Sequence, residues 1–326
     1  MAGFTRLSFL LLILSGCLFA QTGSDCREQT LVATALDSHS LPVNNLATVD
    51  FKVSFRGASA SVKSAQYRMN PGGRVIVLLD VSGSMRGRDE SNKWKIAHAM
   101  ASEFVSLAPP TTQISFMSFA GTVQKRFGAS GGRKPIQEWL SNSSVREGLQ
   151  VKGETALYET IFAAIKELGA AEPGDSIYVI TDAEDNFSKA KSSDVERLLI
   201  NSGIRLFALI LYEPARHAES EEGSQRLNDL VRRSGGLLLS FSAHLRPSGG
   251  DYYEYNDKVV NASRDATRLV QAQISNFYVL NVVGPDQPSN PKDWNLQVVD
   301  AQGCKRNDIS VSYTRPSLTC VQPAVQ

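Results

Sequence analysis

The chain has 326 residues, of which 42% are hydrophobic and 21% are charged; this is the composition of an ordinary globular protein with room for two domains. Its formal net charge is +1, so it lacks the basic excess expected of a nucleic-acid-binding protein. We therefore expect no nucleic acid among its partners, and no strong attraction to anionic lipid.

The N-terminus has the pattern of an export signal. Arg6 precedes an apolar run over residues 7–14 that is too short to span a bilayer, and small residues follow it. Cleavage after Ala20 gives a signal peptide at 1–20. The residues before Cys17 also resemble a bacterial lipoprotein box, in which Cys17 would carry the lipid. Both routes stay open, with plain secretion slightly favoured, and no second segment is long enough to be transmembrane. We expect a secreted, periplasmic or cell-envelope protein.

Export would permit disulfide bonds. With Cys17 assigned to the leader region, three cysteines remain: Cys26, Cys304 and Cys320. Cys304 and Cys320 flank a short strand-like stretch and are the favoured pair, which leaves Cys26 free or paired elsewhere. The odd number means that the sequence alone does not determine the connectivity.

The pattern of predicted elements divides the remaining chain into three parts. Residues 21–72 contain short alternating strands and predict a small antiparallel β region. Residues 73–275 alternate buried strands with amphipathic helices, which predicts an α/β domain with a doubly wound, mostly parallel sheet. Residues 276–326 return to strand patterns separated by turns. We expect this second β region to pack with the first, so that β regions flank the α/β domain at both ends.

One buried strand of the α/β domain ends in a group of oxygen-bearing side chains. Residues 75–79 are five apolar residues in a row, and they lead directly into Asp80, Ser82 and Ser84. In open α/β sheets, ligands bind at the carboxyl ends of the strands. Carboxylate and hydroxyl oxygens suit Mg²⁺, Mn²⁺ or Ca²⁺, whereas Zn²⁺ and copper prefer thiolates and imidazoles. The alternative interpretation is that these side chains only cap the next helix.

Two later stretches favour the metal site over the helix cap. Thr155 stands near the start of a predicted helix, and Asp182 follows a second buried strand at residues 177–181. This order of elements resembles the von Willebrand factor type A domain. The five residues Asp80, Ser82, Ser84, Thr155 and Asp182 resemble that family's metal-ion-dependent adhesion site. The chain departs from the family in having Ala183, where glycine is usual after the last aspartate. A β stretch followed by such a domain also resembles exported bacterial proteins of the acidobacterial type.

The resemblance implies a binding function. A divalent cation, Mg²⁺ or else Mn²⁺ or Ca²⁺, would be held by Ser82, Ser84 and Thr155, with Asp80 and Asp182 balancing its charge. Neutral hydroxyl ligands leave the cation under-neutralised, so an open position would attract an Asp or Glu carboxylate of a partner protein. We expect an adhesion-type protein-binding module. An envelope scaffold in which the metal is only structural is the alternative.

The sequence offers little support for an enzyme. Ser82 and Ser84 lack the Gly-x-Ser-x-Gly pattern of a nucleophilic serine, and no phosphate-binding loop motif occurs. Metal-assisted hydrolysis would need further carboxylates and a base. We therefore expect no catalytic residues, and a hydrolase is the least favoured reading.

Overall fold

The computed structural model describes residues 28–69, 72–86, 93–213, 217–243, 252–284 and 294–315. The predictions about Ala20, Cys17, Cys26 and Cys320 concern residues outside these ranges. The strands in chain order are β1 (Glu28–Leu36), β2 (Phe51–Phe55), β3 (Ala58–Met69), β4 (Arg74–Asp80), β5 (Gln113–Phe119), β6 (Val123–Phe127), β7 (Ser176–Thr181), β8 (Arg205–Tyr212), β9 (Leu238–Ser242), β10 (Asn276–Val283), β11 (Trp294–Val298) and β12 (Ser310–Tyr313). The helices are α1 (Lys93–Leu107), α2 (Lys134–Ser141), α3 (Ser143–Arg146), α4 (Leu157–Leu168), α5 (Ser192–Ser202), α6 (His217–Ser234) and α7 (Tyr252–Ser275).

The central sheet has the strand order β6-β5-β4-β7-β8-β9. Its pairs are parallel except for β6, which runs antiparallel to β5 at one edge. One face is covered by α1 and α7, and the other by α4, α5 and α6, with a separate hydrophobic core on each side. The predicted doubly wound α/β architecture of this part of the chain is therefore confirmed.

Strand β4 explains why this sheet needs helices on both faces. Val75, Val77 and Leu79 point into the core under α1, while Ile76 and Leu78 point into the core under α4. Successive side chains of a strand face opposite sides, so an uninterrupted apolar strand is stable only where both sides are covered. Such a strand lies in the interior of the sheet, and β4 indeed lies between β5 and β7.

The two β regions predicted to flank the α/β domain form one sheet in space. Its order is β11-β2-β3-β10-β1-β12, and neighbouring strands are antiparallel throughout. We call it the curled sheet, because its edge strands approach each other: the Tyr313 hydroxyl donates a 3.0 Å hydrogen bond to the Trp294 carbonyl. Three strands alone bury little apolar surface, and joining the two regions gives a shared core. The expected packing of the tail on the N-terminal region is thus seen, as one sheet instead of two flanking units.

A buried arginine connects the curled sheet to the central sheet. Arg205, the first residue of β8, is 0% exposed. Its guanidinium donates to the carbonyls of Gln273 and Ile274 at the end of α7, each at 3.0 Å, and to the Thr34 hydroxyl of β1 at 3.2 Å. It also lies 4.6 Å from the centre of the Phe277 ring in β10. Burial lowers the pKa of this guanidinium to about 9, although a cation at the carboxyl end of a helix is favourably placed.

The position of Arg205 shows which ends of the central strands the curled sheet covers. Arg205 begins β8, and Gly174, just before β7, packs on the same Phe277 ring. A side chain at Gly174, whose φ is +104°, would overlap that ring, so only glycine fits there. Both contacts lie at the amino ends of the parallel strands. The carboxyl ends, where the candidate site is predicted, are at the opposite edge.

The described residues bear on two further predictions, which concern membrane-spanning segments and disulfides. None of the described helices has both the length and the apolar composition that crossing a bilayer requires. Cys304 is exposed and free. The predicted partner Cys320 lies outside the described ranges, so this disulfide is not confirmed, and none is seen among the described residues.

Candidate functional site

The predicted site residues lie on three loops at the carboxyl edge of the central sheet. Asp80, Ser82 and Ser84 follow β4, and Asp182 follows the neighbouring strand β7. Thr155 lies in the loop before α4, two residues ahead of the first helical residue, Leu157. The backbone links this loop to the first one, because the Gly83 amide donates a 2.8 Å hydrogen bond to the Gly153 carbonyl.

Asp80 is fully buried, and both of its carboxylate oxygens accept hydrogen bonds. The Ser82 amide donates to Oδ1 at 2.8 Å, and the Thr181 hydroxyl donates to Oδ2 at 2.6 Å. Burial, and then the nearby charge of Asp182, raises the pKa of Asp80 to about 7, although these hydrogen bonds act in the opposite direction. Asp80 therefore holds the loop in shape and, when it is ionised, places negative charge beneath it.

The hydroxyls of Ser82 and Ser84 lie side by side. Their Oγ atoms are 3.1 Å apart, with Ser82 buried and Ser84 partly exposed. Gly83 between them approaches the neighbouring loop so closely that an added Cβ would lie 3.2 Å from the Gly153 carbonyl oxygen. The glycine thus permits the tight turn that places both hydroxyls at the same edge.

Asp182 binds a residue that the sequence interpretation missed. The Lys93 ammonium lies 2.9 Å from Oδ2 of Asp182 and 3.3 Å from the carbonyl oxygen of Ser84. Lys93 is the first residue of α1, where a positive charge is unfavourable because the helix dipole is positive at that end. A lysine at the start of a helix with an apolar face was therefore a signal that a carboxylate lies nearby.

Thr155 is positioned by the loop that follows β7. Its amide donates a 2.8 Å hydrogen bond to Oδ1 of Asn186, and its carbonyl accepts from the amides of Asn186 and Phe187. In the same loop, Asp185 accepts from the Leu157 amide at 3.0 Å and so caps the first turn of α4. Asp185 therefore joins the loop after β7 to the start of α4.

Ala183 has a backbone conformation that favours glycine. Its φ is +64°, and the residue is fully buried beside Asp182. For a residue with a Cβ, this left-handed conformation costs about 1–2 kcal/mol. The departure from the family's usual glycine therefore strains the loop at this residue.

The donor atoms fit a hard divalent cation. The site offers the oxygens of two carboxylates and three hydroxyls, with no sulfur or imidazole nitrogen among them. In the described ranges, no three or more His, Cys, Asp and Glu side chains cluster in a way that could hold a metal. Any ion held here would therefore depend on Ser82, Ser84 and Thr155. Lys93 opposes a divalent cation at this site, because its ammonium already binds Asp182.

Comparison with known proteins agrees with the geometry of this region. Residues 75–184 match the family model of the von Willebrand factor type A domain, and this range includes all five predicted site residues. A search of curated proteins found no match.

Several solved structures show a distant likeness. BatB from Bacteroides thetaiotaomicron, a conserved hypothetical protein, is 19% identical and covers 60% of this chain and 98% of its own, with a TM-score of 0.43. An aerotolerance-related membrane protein from Bacteroides fragilis is 18% identical, covers 62% and 98%, and has a TM-score of 0.44. A von Willebrand factor type A protein from Catenulispora acidiphila is 10% identical, covers 92% and 74%, and scores 0.41. At such scores these likenesses say nothing about what this chain binds.

Proposed function

We propose that this chain, which carries a von Willebrand factor type A domain, is an exported binding protein that recognises an acidic group of a protein partner through a divalent cation. Mg²⁺ is the preferred ion, with Mn²⁺ and Ca²⁺ as alternatives. Ser82, Ser84 and Thr155 would hold the ion, and Asp80 and Asp182 would balance its charge.

The observation that carries this proposal is the arrangement of oxygen atoms at one edge of the central sheet. Asp80 and Asp182 are each about 1% exposed or less, so their charges lie below the surface, while Ser84 above them is partly exposed. A cation bound mainly by neutral hydroxyls keeps a strong attraction for a further anion. The curled sheet lies at the opposite edge, so a partner can reach this one.

The surroundings of the site support a protein as the partner. Phe187, whose backbone amide donates to the Thr155 carbonyl, is 50% exposed. An exposed apolar side chain beside a polar site is typical of surfaces that bind proteins. A cleft of about 290 Å³ next to Ala183 is lined partly by Glu184 and Asp185 and by the ion pair of Glu222 with Arg226. The carboxylates outnumber the one arginine, so this side would disfavour an acidic partner and restrict its orientation.

The first test is calorimetric titration of Mg²⁺ and Mn²⁺ into chelator-treated protein. Thr155→Ala removes a proposed ligand, and we expect it to lose metal binding while it keeps its fold, as checked by circular dichroism. Thr160→Ala is a matched control: it removes an equally buried hydroxyl that bonds only to the Ala156 carbonyl. Equal metal binding by all three proteins, or none by the wild type, would refute the metal site.

The second test concerns the acidic partner. Peptides containing a central Asp or Glu are compared with the corresponding Asn or Gln peptides, with Mg²⁺ or with chelator. We expect binding only of the acidic peptides, only with metal, and not by Thr155→Ala. If a natural partner binds Thr155→Ala as well as wild type, the alternative applies: an envelope scaffold that binds through the curled sheet while the metal is structural. Metal-dependent turnover of generic ester or phosphoester substrates would instead support a hydrolase.

Export is part of the proposal and rests on the leader pattern around residues 7–20. Mass spectrometry of the mature protein distinguishes the two processing routes. An N-terminus at Gln21 indicates secretion into the periplasm or medium, whereas a lipid-modified Cys17 indicates an envelope lipoprotein. An unprocessed N-terminus in the cytoplasm would contradict export.

A further inference from the structure

A buried lysine lies inside the candidate site. Lys93 has a side chain that is 4% exposed, and its partner Asp182 is 1% exposed. The 2.9 Å distance between Nζ and Oδ2 is that of a charge-assisted hydrogen bond. A lysine is rarely buried to this degree unless it is paired, and here the pairing carboxylate belongs to the site.

The second contact of Lys93 places its charge at the edge of the loop after β4. Its ammonium also donates to the Ser84 carbonyl at 3.3 Å, and the Ser84 hydroxyl is 3.1 Å from that of Ser82. One ammonium group therefore joins the loop after β4 to the loop after β7. This is also the task that a metal ion would perform.

Helix geometry argues that this position of Lys93 serves the site and not the helix. As the first residue of α1, Lys93 lies where the helix dipole disfavours a cation. Burying an ammonium at that end is stabilising only if the charge of Asp182 outweighs both the dipole and the loss of hydration. Lys95, two residues later, is exposed.

We propose that Lys93 is the resident cation of the site, so that a divalent ion binds only in competition with the Lys93 ammonium for Asp182. This inference rests on the proposed metal-binding function, and it adds a way in which the metal affinity is regulated. Lys93 holds the two loops together when no metal is bound, and it weakens metal affinity. The ion then exchanges readily, and a partner carboxylate is needed for tight retention.

The test compares Lys93→Met with wild type by calorimetric titration of Mg²⁺ and Mn²⁺. Methionine keeps the length of the side chain and removes its charge. We expect Lys93→Met to bind Mg²⁺ at least ~10-fold more tightly, a change within the range of about 5–150-fold that coupled binding events typically show. We also expect its melting temperature to fall without metal and to rise more than that of wild type on adding Mg²⁺. Lys95→Met, which removes a charge of the same helix without touching Asp182, should match wild type.

The outcomes separate this inference from the proposed function. Equal or weaker Mg²⁺ binding by Lys93→Met, with wild type binding normally, overturns the competition and leaves the metal site standing. No binding by wild type and by Lys93→Met overturns both. If Lys93→Met folds only when Mg²⁺ is present, that result also supports the competition.

A measurement on wild type covers the case in which Lys93→Met does not fold at all. The ammonium nitrogen resonance of Lys93 is assigned by its loss in Lys93→Arg and is followed during Mg²⁺ titration. A shift that saturates with the metal supports displacement, and an unchanged resonance at saturating Mg²⁺ overturns it.

Discussion

The strained conformation of Ala183 predicts an unusual response to Ala183→Gly. Glycine removes the cost of φ +64°, about 1–2 kcal/mol. It also frees the unfolded chain, which costs about 0.4–1 kcal/mol, and it deletes a buried methyl group worth about 0.8 kcal/mol. These effects nearly cancel. We therefore expect the free energy of unfolding of Ala183→Gly to lie within about 1 kcal/mol of wild type.

Ala164→Gly provides the matched comparison. Ala164 is equally buried in the same hydrophobic core, but it lies within α4. Glycine there costs about 1 kcal/mol of helix propensity and about 0.8 kcal/mol of methyl burial, so we expect a loss of about 2 kcal/mol. Urea unfolding of both variants in chelator measures the difference. If Ala183→Gly is as destabilising as Ala164→Gly, the strain assigned to Ala183 is refuted.

Three further perturbations test other parts of the molecule. Arg205→Met leaves the carbonyls at the end of α7 without their donor, so urea unfolding should show a loss of about 3 kcal/mol. Arg205→Lys keeps a donor and should lose less. If the two variants are equally stable, the connecting role of Arg205 is refuted. Because burial raises the pKa of Asp80 to about 7, the folded state binds this proton more tightly than the unfolded state does. The free energy of unfolding of the metal-free protein should therefore fall as the pH rises from 4 to 7. Calorimetry should show weaker Mg²⁺ binding at pH 6 than at pH 8, because the proton competes with the metal. The opposite trend in either measurement would contradict this role of Asp80. Asn186→Ala releases the Thr155 amide and should weaken Mg²⁺ binding about tenfold in the same titration without unfolding the domain, and unchanged affinity would show that Asn186 does not position Thr155.

Much of the α/β domain could be predicted because its signals are local. The apolar run before Asp80 predicted a strand buried on both faces, and the alternation of strands and helices over residues 73–275 predicted the α/β architecture. That Asp80 and Asp182 share one site was implied by the resemblance to the von Willebrand factor type A domain, and the structure places them at the ends of the adjacent parallel strands β4 and β7.

The features that escaped prediction depend on contacts between distant residues. Lys93 and Asp182 are 89 residues apart, and only the fold brings them together. Thr155 was predicted near the start of a helix, but its amide bonds to Asn186, 31 residues later, and it lies outside α4. In each case, a tertiary contact prevailed over a local preference.

The pairing within the curled sheet has a consequence for the order of folding. In the described part of the chain, the strands that pair with β1 are β10 and β12, with Glu28 opposite Val283 and Leu36 opposite Ser310. β1 thus waits for strands that are synthesised much later, and closing so long a loop is slow. The central sheet can form earlier, from strands that lie closer in sequence. Until the chain is complete, β1 keeps an unpaired, apolar edge, so a chain that ends before residue 276 would expose a surface prone to aggregation.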